Sequence, residues 1–569
     1  MTPSPTQPPG MRHESLHVDA APVIRHFLEK MGLPTLFQQH LPRLRGRQRD
    51  VPTSTVLCVL LSNLLLARKP LYAVADWASS FVPEHLGLLP DQLSRLNDDR
   101  CGRALDHLFR ADRASLLTTL ILNTVRLFRM ALHDMHQDTT TVTFCGEYAD
   151  QPSGEQADLP ARITRGHNKD HRPDLKQLLY NRTLTADGAV PIHCKIHDGN
   201  TADSKVHEQT WLEVCAIVGS PDFLYVADSK LCDRQVLQLI AKRQGRFLTV
   251  MPRTRMEHTR FLDWVRDNDV NWCGVCRRPN PRGKGKPIII YRGFEDPHRS
   301  EEGYRIYWYH SSQKQERDQQ VRMRRLHKAR KRLLRLRPPG RGQHFKTEQA
   351  AREAVQRVLA QYPVQDWLEV TIEEVLRTKH VPVGPGRPGP ETLYRPVEVK
   401  HYTIRVTTNE AALQRTARGD GLFALMSNDA SLSLRTALQK YKYQPYAEKR
   451  HQQLKSVFAV RPVWLKNAKR VESLLWLYHL VELVQALLER EVRQGMKEAG
   501  IESLPLHPEN RECTKPTSEL ILQVLEGRRR HRLVDAEGGE VYRFYDPVSE
   551  AAQSVLGLLS VDGAAYGLA

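Results

Sequence analysis

FLYVADSK, residues 223–230, decides the architecture. Phe223 to Ala227 is continuously apolar where a half-exposed strand would alternate, as expected of a strand buried on both faces in the middle of an α/β sheet. Asp228 follows directly. In open α/β sheets the ends of central strands are where functional groups emerge into a crevice. AspSerLys also begins a helix acceptably, so Asp228 reads either as a site carboxylate or as the cap of the next helix.

Working outward, three β-branched runs precede this stretch: QDTTTVTF (137–144), LLYNRTLT (178–185) and AVPIHCKI (189–196), the last two separated by the turn residues Ala186, Asp187 and Gly188. A helix is expected from Asp203, placed to cap it, to Val218, and another from Cys232 to Arg243, followed by the strand FLTVM (247–251). Three strands, a helix, a strand, a helix and a strand make a mixed α/β order. Asp138 lies inside the first strand among threonines, where an aspartate is unfavourable, so it marks either an exposed edge position or a functional one.

The chain has 569 residues and a net charge of +19, which calls for several domains and a polyanionic partner, most simply nucleic acid. Nine scattered cysteines read as reduced thiols. The opening MTPSPTQPPG lacks the apolar core of a signal peptide, and the apolar run Val56–Ala67 is too short and too interrupted, by Ser62 and Asn63, to cross a bilayer. The expectation is a cytoplasmic, nucleoid-associated protein with no membrane contact.

Six segments follow from texture. Residues 1–17 read as a disordered leader, and 18–132 as a helical N-terminal domain (VIRHFLEKMG, STVLCVLLSNLLLARKP, CGRALDHLFR) that either packs or reads DNA ends. Residues 133–253 are the first part of the α/β core. Residues 254–418 read as a β-rich insertion with strands such as YRIYWYH and VEVKHYTIRV, a Pro/Gly-rich loop at 381–390, and the basic segment VRMRRLHKARKRLLRLRPPGRG (321–342). In that segment Arg324, Arg325, Lys328 and Arg332 suit phosphate contact, or else simply solubilise a surface helix. Residues 419–495 return to the core through GLFALMSN and a long helix from Lys469 to Arg493, where Glu472, His479 and Glu482 argue against a membrane span. Residues 496–569 form a small last domain with a hairpin around GluGlyGly at 537–539.

YKYQPYAEKRHQQLK, residues 441–455, supplies the third acid, Glu448. On one helix Glu448 and Lys455 would lie about 20° apart around the axis, two turns from each other. Pro445 fits a first helical turn, so a bend feeding a helix is expected, with Tyr441 and Gln444 before or at it. Asp138, Asp228 and Glu448 together would make a three-carboxylate pocket suited to two Mg²⁺ ions and phosphodiester chemistry. The CxxC of Cys273 and Cys276 has no second pair to complete a zinc site, and His193 and His197 read as ordinary polar residues. GHNKDHRPDLKQ (166–177), with Lys169, Arg172 and Lys176, reads as a DNA-contacting loop or a solvated charge cluster.

HQDTTTVTF, GHNKDHRPDLKQ, GlyAsnThrAlaAsp at 199–203, FLYVADSK and the 441–455 stretch, in this order, resemble bacterial insertion-sequence DDE transposases of the IS-four-like group with its Y-x2-R-x3-E-x6-K signature. The resemblance runs from about Val18 to Arg493 and includes AsnAspAspArg at 97–100. It implies an RNase H-like core interrupted by a β-rich insertion, with Asp138, Asp228 and Glu448 binding two Mg²⁺ ions (Mn²⁺ as a substitute). It also implies double-stranded DNA as partner, both element ends and target, and a homodimer in the synaptic complex. Tyr441, Glu448 and Lys455 match the signature, whereas Gln444 stands where the family has an arginine that contacts an end phosphate; the resemblance implies Tyr441, Gln444 and Lys455 as DNA contacts. A non-catalytic DNA-binding descendant and another RNase H-like nuclease are the alternatives.

Overall fold

Asp134 to Phe144 forms one eleven-residue strand in which every residue except Asp134 and Asp138 is buried. The computed structural model describes residues 11–42, 51–144, 146, 148, 159–169, 172–202, 205–280, 285, 287–336, 344–452, 465 and 467–568. The chain divides into two units: residues 1–249 with 439–569, and residues 250–438.

In the first unit the strands are β1 (Arg12–His17), β2 (Asp134–Phe144), β3 (Lys176–Thr185), β4 (Pro191–Asp198), β5 (Leu224–Ala227) and β6 (Arg246–Val250). The last five run side by side in the order β4-β3-β2-β5-β6. β2–β3 and β3–β4 are antiparallel, while β2–β5 and β5–β6 are parallel. Parallel neighbours need a crossover, and the helices Val206–Val218 and Arg234–Lys242 supply the stretches before and after β5. All four residues of β5 are buried, as its unbroken apolar run requires. Gly188 takes φ +83 in the β3–β4 turn, a left-handed conformation open to glycine at little cost. The expected cap Asp203 lies outside the described residues.

Helices fill most of the N-terminal part. Thr53–Leu66 is buried from Val56 through Leu65, which accounts for its apolar run. AsnAspAspArg is a helix start: Asn97 accepts from the Arg100 backbone N at 2.8 Å, and Asp98 and Asp99 sit in the positive first turn. The 31-residue helix Ala468–Glu498 is long and apolar enough to cross a membrane, but 94% of its apolar window is buried inside the protein. Its acids are individually matched. Arg113 donates to Glu472 at 2.7 Å, Arg182 to Glu482, and Arg450 to Glu489 at 2.9 Å. Arg470 grips Asp106 through two bonds of 2.9 and 2.7 Å.

The second unit holds β7 (Cys273–Arg278), β8 (Ile289–Glu295), β9 (Arg305–Ser311), β10 (Leu368–Pro382), β11 (Tyr394–Thr408) and β12 (Leu422–Ser427). β12-β9-β8-β7 is an antiparallel sheet, and β10 and β11 pair as a two-stranded ribbon. The expected β-rich insertion is corrected here. Four helices, Met256–Asp267, Ser312–Leu334, Glu348–Gln361 and Glu410–Ala417, share the unit with the strands. Their apolar stripes are narrow and set in charge: Leu326, Ala329 and Leu333 of the basic helix pack with Val355 and Val358 of the next one.

Back in the first unit, β13 (Leu504–His507) pairs with β14 (Arg511–Cys513), and β15 (Arg529–Val534) forms the expected hairpin with β16 (Glu540–Tyr545). The hairpin gains a third strand from the other end of the chain. β1 pairs along its whole length with β15, Arg12 opposite Val534 and His17 opposite Arg529. Residues 12–17 are therefore a strand and not part of a disordered leader. RHESLH carries almost no apolar signal, and its partner lies at the far end of the sequence.

Candidate functional site

Asp138 is the one break in the buried interior of β2, half-exposed between Gln137 and Thr139. Its Oδ1 accepts from the Thr139 backbone N at 2.8 Å. Asp228 leaves the end of β5 and caps the turn that follows, as one of its two sequence readings has it. Its Oδ1 accepts from the Lys230 N at 2.9 Å and caps the short turn Ser229–Leu231, while its carbonyl oxygen accepts from Thr249 Oγ1 at 2.7 Å. The acid is thus locked at the strand end by its own backbone.

Glu448 comes from the helix Gln444–Gln452, separated from the helix Leu434–Tyr441 by a turn at Lys442 and Tyr443. This is the bend expected around Pro445. Gln444 fastens the second helix to β2: its Nε2 donates to the Gln137 carbonyl at 2.9 Å and its Oε1 lies 3.3 Å from His136 Nδ1. Arg450 fastens the other end through Glu489 on the core helix. Tyr443 stacks between His136 and Tyr446, with ring centroids at 4.9 and 4.6 Å.

These anchors bring the three acids into one electrostatic neighbourhood. Burial first, and then the charges of Asp228, Glu448 and Asp138, push the Tyr441 hydroxyl up to about 12. Partial burial and the charge of Asp138 raise Glu448 above the ordinary carboxylate range, against Lys442, which acts in the opposite sense. The acids are coupled without being a closed cage. Among the described residues no three His, Cys, Asp or Glu side chains are grouped tightly enough to hold a metal by themselves, and this includes Cys273 and Cys276 on β7.

The expected DNA-contacting residues fare unevenly. Gln444 is 6% exposed with its amide spent on β2, so its assignment as a DNA contact is corrected to a clamp that orients the Glu448 helix. Lys169 reaches β2 and donates to both the carbonyl and the hydroxyl of Thr139 at 2.5 Å, next to Asp138. Arg172 is exposed and chelates Asp174 at 2.9 and 2.7 Å, and Lys176 opens β3 half-exposed. Arg324, Arg325, Lys328 and Arg332 are all exposed on the basic helix of the second unit. Lys455 lies outside the described residues.

Sequence reasoning missed two supports. Gly166 and Gly199 pack backbone to backbone around Gln177: a Cβ on Gly166 would meet the Gly199 carbonyl oxygen at 2.0 Å. Gln177 in turn donates to that same oxygen at 2.7 Å and accepts from Asn168 at 2.8 Å, which shapes the loop carrying Lys169. The second support is Arg182, which stands opposite Asp138 in the β2–β3 register and pairs with Glu482, the two side chains 1% and 0% exposed. An arginine inside a buried strand and a glutamate inside an apolar helix were the available signals; only their pairing was hidden.

The profile of a domain of unknown function (DUF4277) matches residues 13–122, a span from β1 through most of the N-terminal helices. No curated protein matches the chain. A cryo-EM structure of the piggyBac transposase synaptic complex with hairpin DNA is similar over 98% of this chain and 84% of that one, at 10% identity and a TM-score of 0.36, a likeness too slight to carry fold or function.

Proposed function

We propose that the chain is a Mg²⁺-dependent DDE transposase with an RNase H-like core, which binds the terminal inverted repeats of an insertion sequence, cleaves its ends and joins the 3′-OH ends to target DNA. The observation that carries this reading is the placement of Asp138 within β2, Asp228 at the end of β5 and Glu448 on the helix that Gln444 fastens to β2, near enough for the charges of all three to act on the Tyr441 hydroxyl. The order of three antiparallel strands followed by two parallel ones, with helices before and after β5, supports the same reading. So do the motifs it shares with the IS-four-like group.

The donor set fits the cation. All three acids offer hard oxygen, and Mg²⁺ is ordinarily held by one or two carboxylates together with water and phosphate oxygens, not by an all-protein cage. Burial and the charge of Asp138 already raise the cost of ionising Glu448, a cost that a divalent cation relieves. When bound, two such ions would lower the pKa of the attacking water or hydroxyl and stabilise the leaving oxygen, with Mn²⁺ able to substitute. The protein's own contribution is placement. Asp138 is set by the strand, Asp228 by its cap bonds, and Glu448 by the Gln444 and Arg450 anchors. Tyr441 is held as a neutral phenol beside these acids. Double-stranded DNA is the substrate, and a homodimer pairs two ends in the synaptic complex.

The test is cation dependence. Purified protein with DNA carrying its element's ends is expected to cut in Mg²⁺ or Mn²⁺ and to bind without cutting in EDTA. Cleavage that persists in EDTA would refute the carboxylate–metal mechanism, and binding without cleavage in either cation would favour the non-catalytic descendant.

A further inference from the structure

Within the second unit, a cavity of about 270 Å³ opens between the helices Met256–Asp267 and Ser312–Leu334, and four arginines, Arg253, Arg266, Arg322 and Arg325, line it. The acids nearby are already engaged. Asp318 takes Lys314 and the Gly421 N, Asp420 takes Arg322, and Arg266 is paired with Asp263 at 2.8 Å. Among the described residues no ion pair reaches Arg253 or Arg325, so two positive charges at the wall are left in excess.

A second observation is independent of that charge count. Arg322 is 7% exposed, and its Nε is buried with no hydrogen-bond partner among the described residues, although its terminal nitrogen is bound to Asp420. That Nε is closed to solvent, so Arg322 acts on the cavity through its buried guanidinium charge and not through a contact. We infer that this cavity is a binding site for a phosphate group, held by Arg253 and Arg325 with Arg322 beneath them. Guanidinium groups present planar, paired donors that match phosphate oxygens, and a phosphate of charge about −1 to −2 offsets the excess on the wall. His258, also on the wall, is pushed down to about 4, first by burial and then by Arg253 and Lys314, so at neutral pH the positive charge of the wall rests on the arginines. Trp367 and Leu262 close an apolar side, which limits the site to a compact group.

The group is either a backbone phosphate of bound DNA or a free phosphate, and one experiment on the full chain separates them. Titration calorimetry with inorganic phosphate at low ionic strength is expected to show one saturable site. Arg253→Ala with Arg325→Ala should weaken it at least about tenfold. Both side chains are exposed, so the fold is not at stake. Arg330→Ala and Lys331→Ala, exposed on the same helix but off the cavity wall, should leave it unchanged. Absence of saturable binding, or equal binding by the double variant, overturns the site. If prior addition of duplex DNA blocks the phosphate, the site takes a backbone phosphate; if phosphate still binds the DNA complex with unchanged affinity, it takes a free one. Either outcome retains the site. Cleavage is not read in this titration, so its failure leaves the transposase reading untouched.

Discussion

Asp228→Asn and Glu448→Gln are each expected to lower Mg²⁺-dependent cleavage of element-end DNA by at least ~10³-fold, about 4 kcal/mol of transition-state stabilisation. DNA affinity should stay within about threefold of wild type, because the positive charge that binds the backbone lies elsewhere. The amides keep the size of the acids, and Asn can still accept from the Lys230 N in place of Asp228. The fold is therefore preserved and only the anionic oxygen is lost. A cleavage assay beside a gel-shift titration checks both halves. Wild-type cutting by either variant would remove that acid from the site.

The second large effect is on stability. Arg182 and Glu482 are both essentially inaccessible, so Glu482→Ala strands a guanidinium in the interior and is expected to cost ~3–5 kcal/mol. Because Arg182 stands opposite Asp138 across β2 and β3, the same variant should also lose cleavage activity at temperatures where it remains folded. Arg182→Met combined with Glu482→Leu removes both charges and should recover most of the stability, since a buried pair replaced by apolar groups of similar volume is often close to neutral. Urea unfolding of the three proteins decides this. A loss below about 1 kcal/mol for Glu482→Ala would mean that water reaches the pair.

Much of the first unit could be read locally. FLYVADSK announced a strand buried on both faces with an acid at its end, and β2 through β6 lie where their β-branched runs placed them. Asp138 was marked by its poor fit to a strand, and Pro445 marked the bend that delivers Glu448. What could not be read depends on distant partners. β1 looks like a charged coil until Arg529–Val534 is beside it, and Glu482 looks merely soluble until Arg182 is opposite. Gln444 was misjudged for a related reason: its motif position suggested a phosphate contact, but a neutral amide beside Gln137 and His136 finds better partners on β2 than in solvent. In the second unit the basic segment is the helix its composition allowed, while Met256–Asp267, Glu348–Gln361 and Glu410–Ala417, with short apolar stripes set in charge, were not picked out among the strands.

If Asp228 holds the cation, replacing its carboxylate by a thiolate in Asp228→Cys changes which cation supports cutting. A thiolate is a soft ligand that serves Mg²⁺ poorly and Mn²⁺ better. This variant is expected to bind element-end DNA normally, not to cut it in Mg²⁺, and to regain cutting in Mn²⁺, while the wild type cuts in both. Wild-type cutting by Asp228→Cys in Mg²⁺, or no recovery in Mn²⁺ with DNA binding intact, would contradict that role for Asp228.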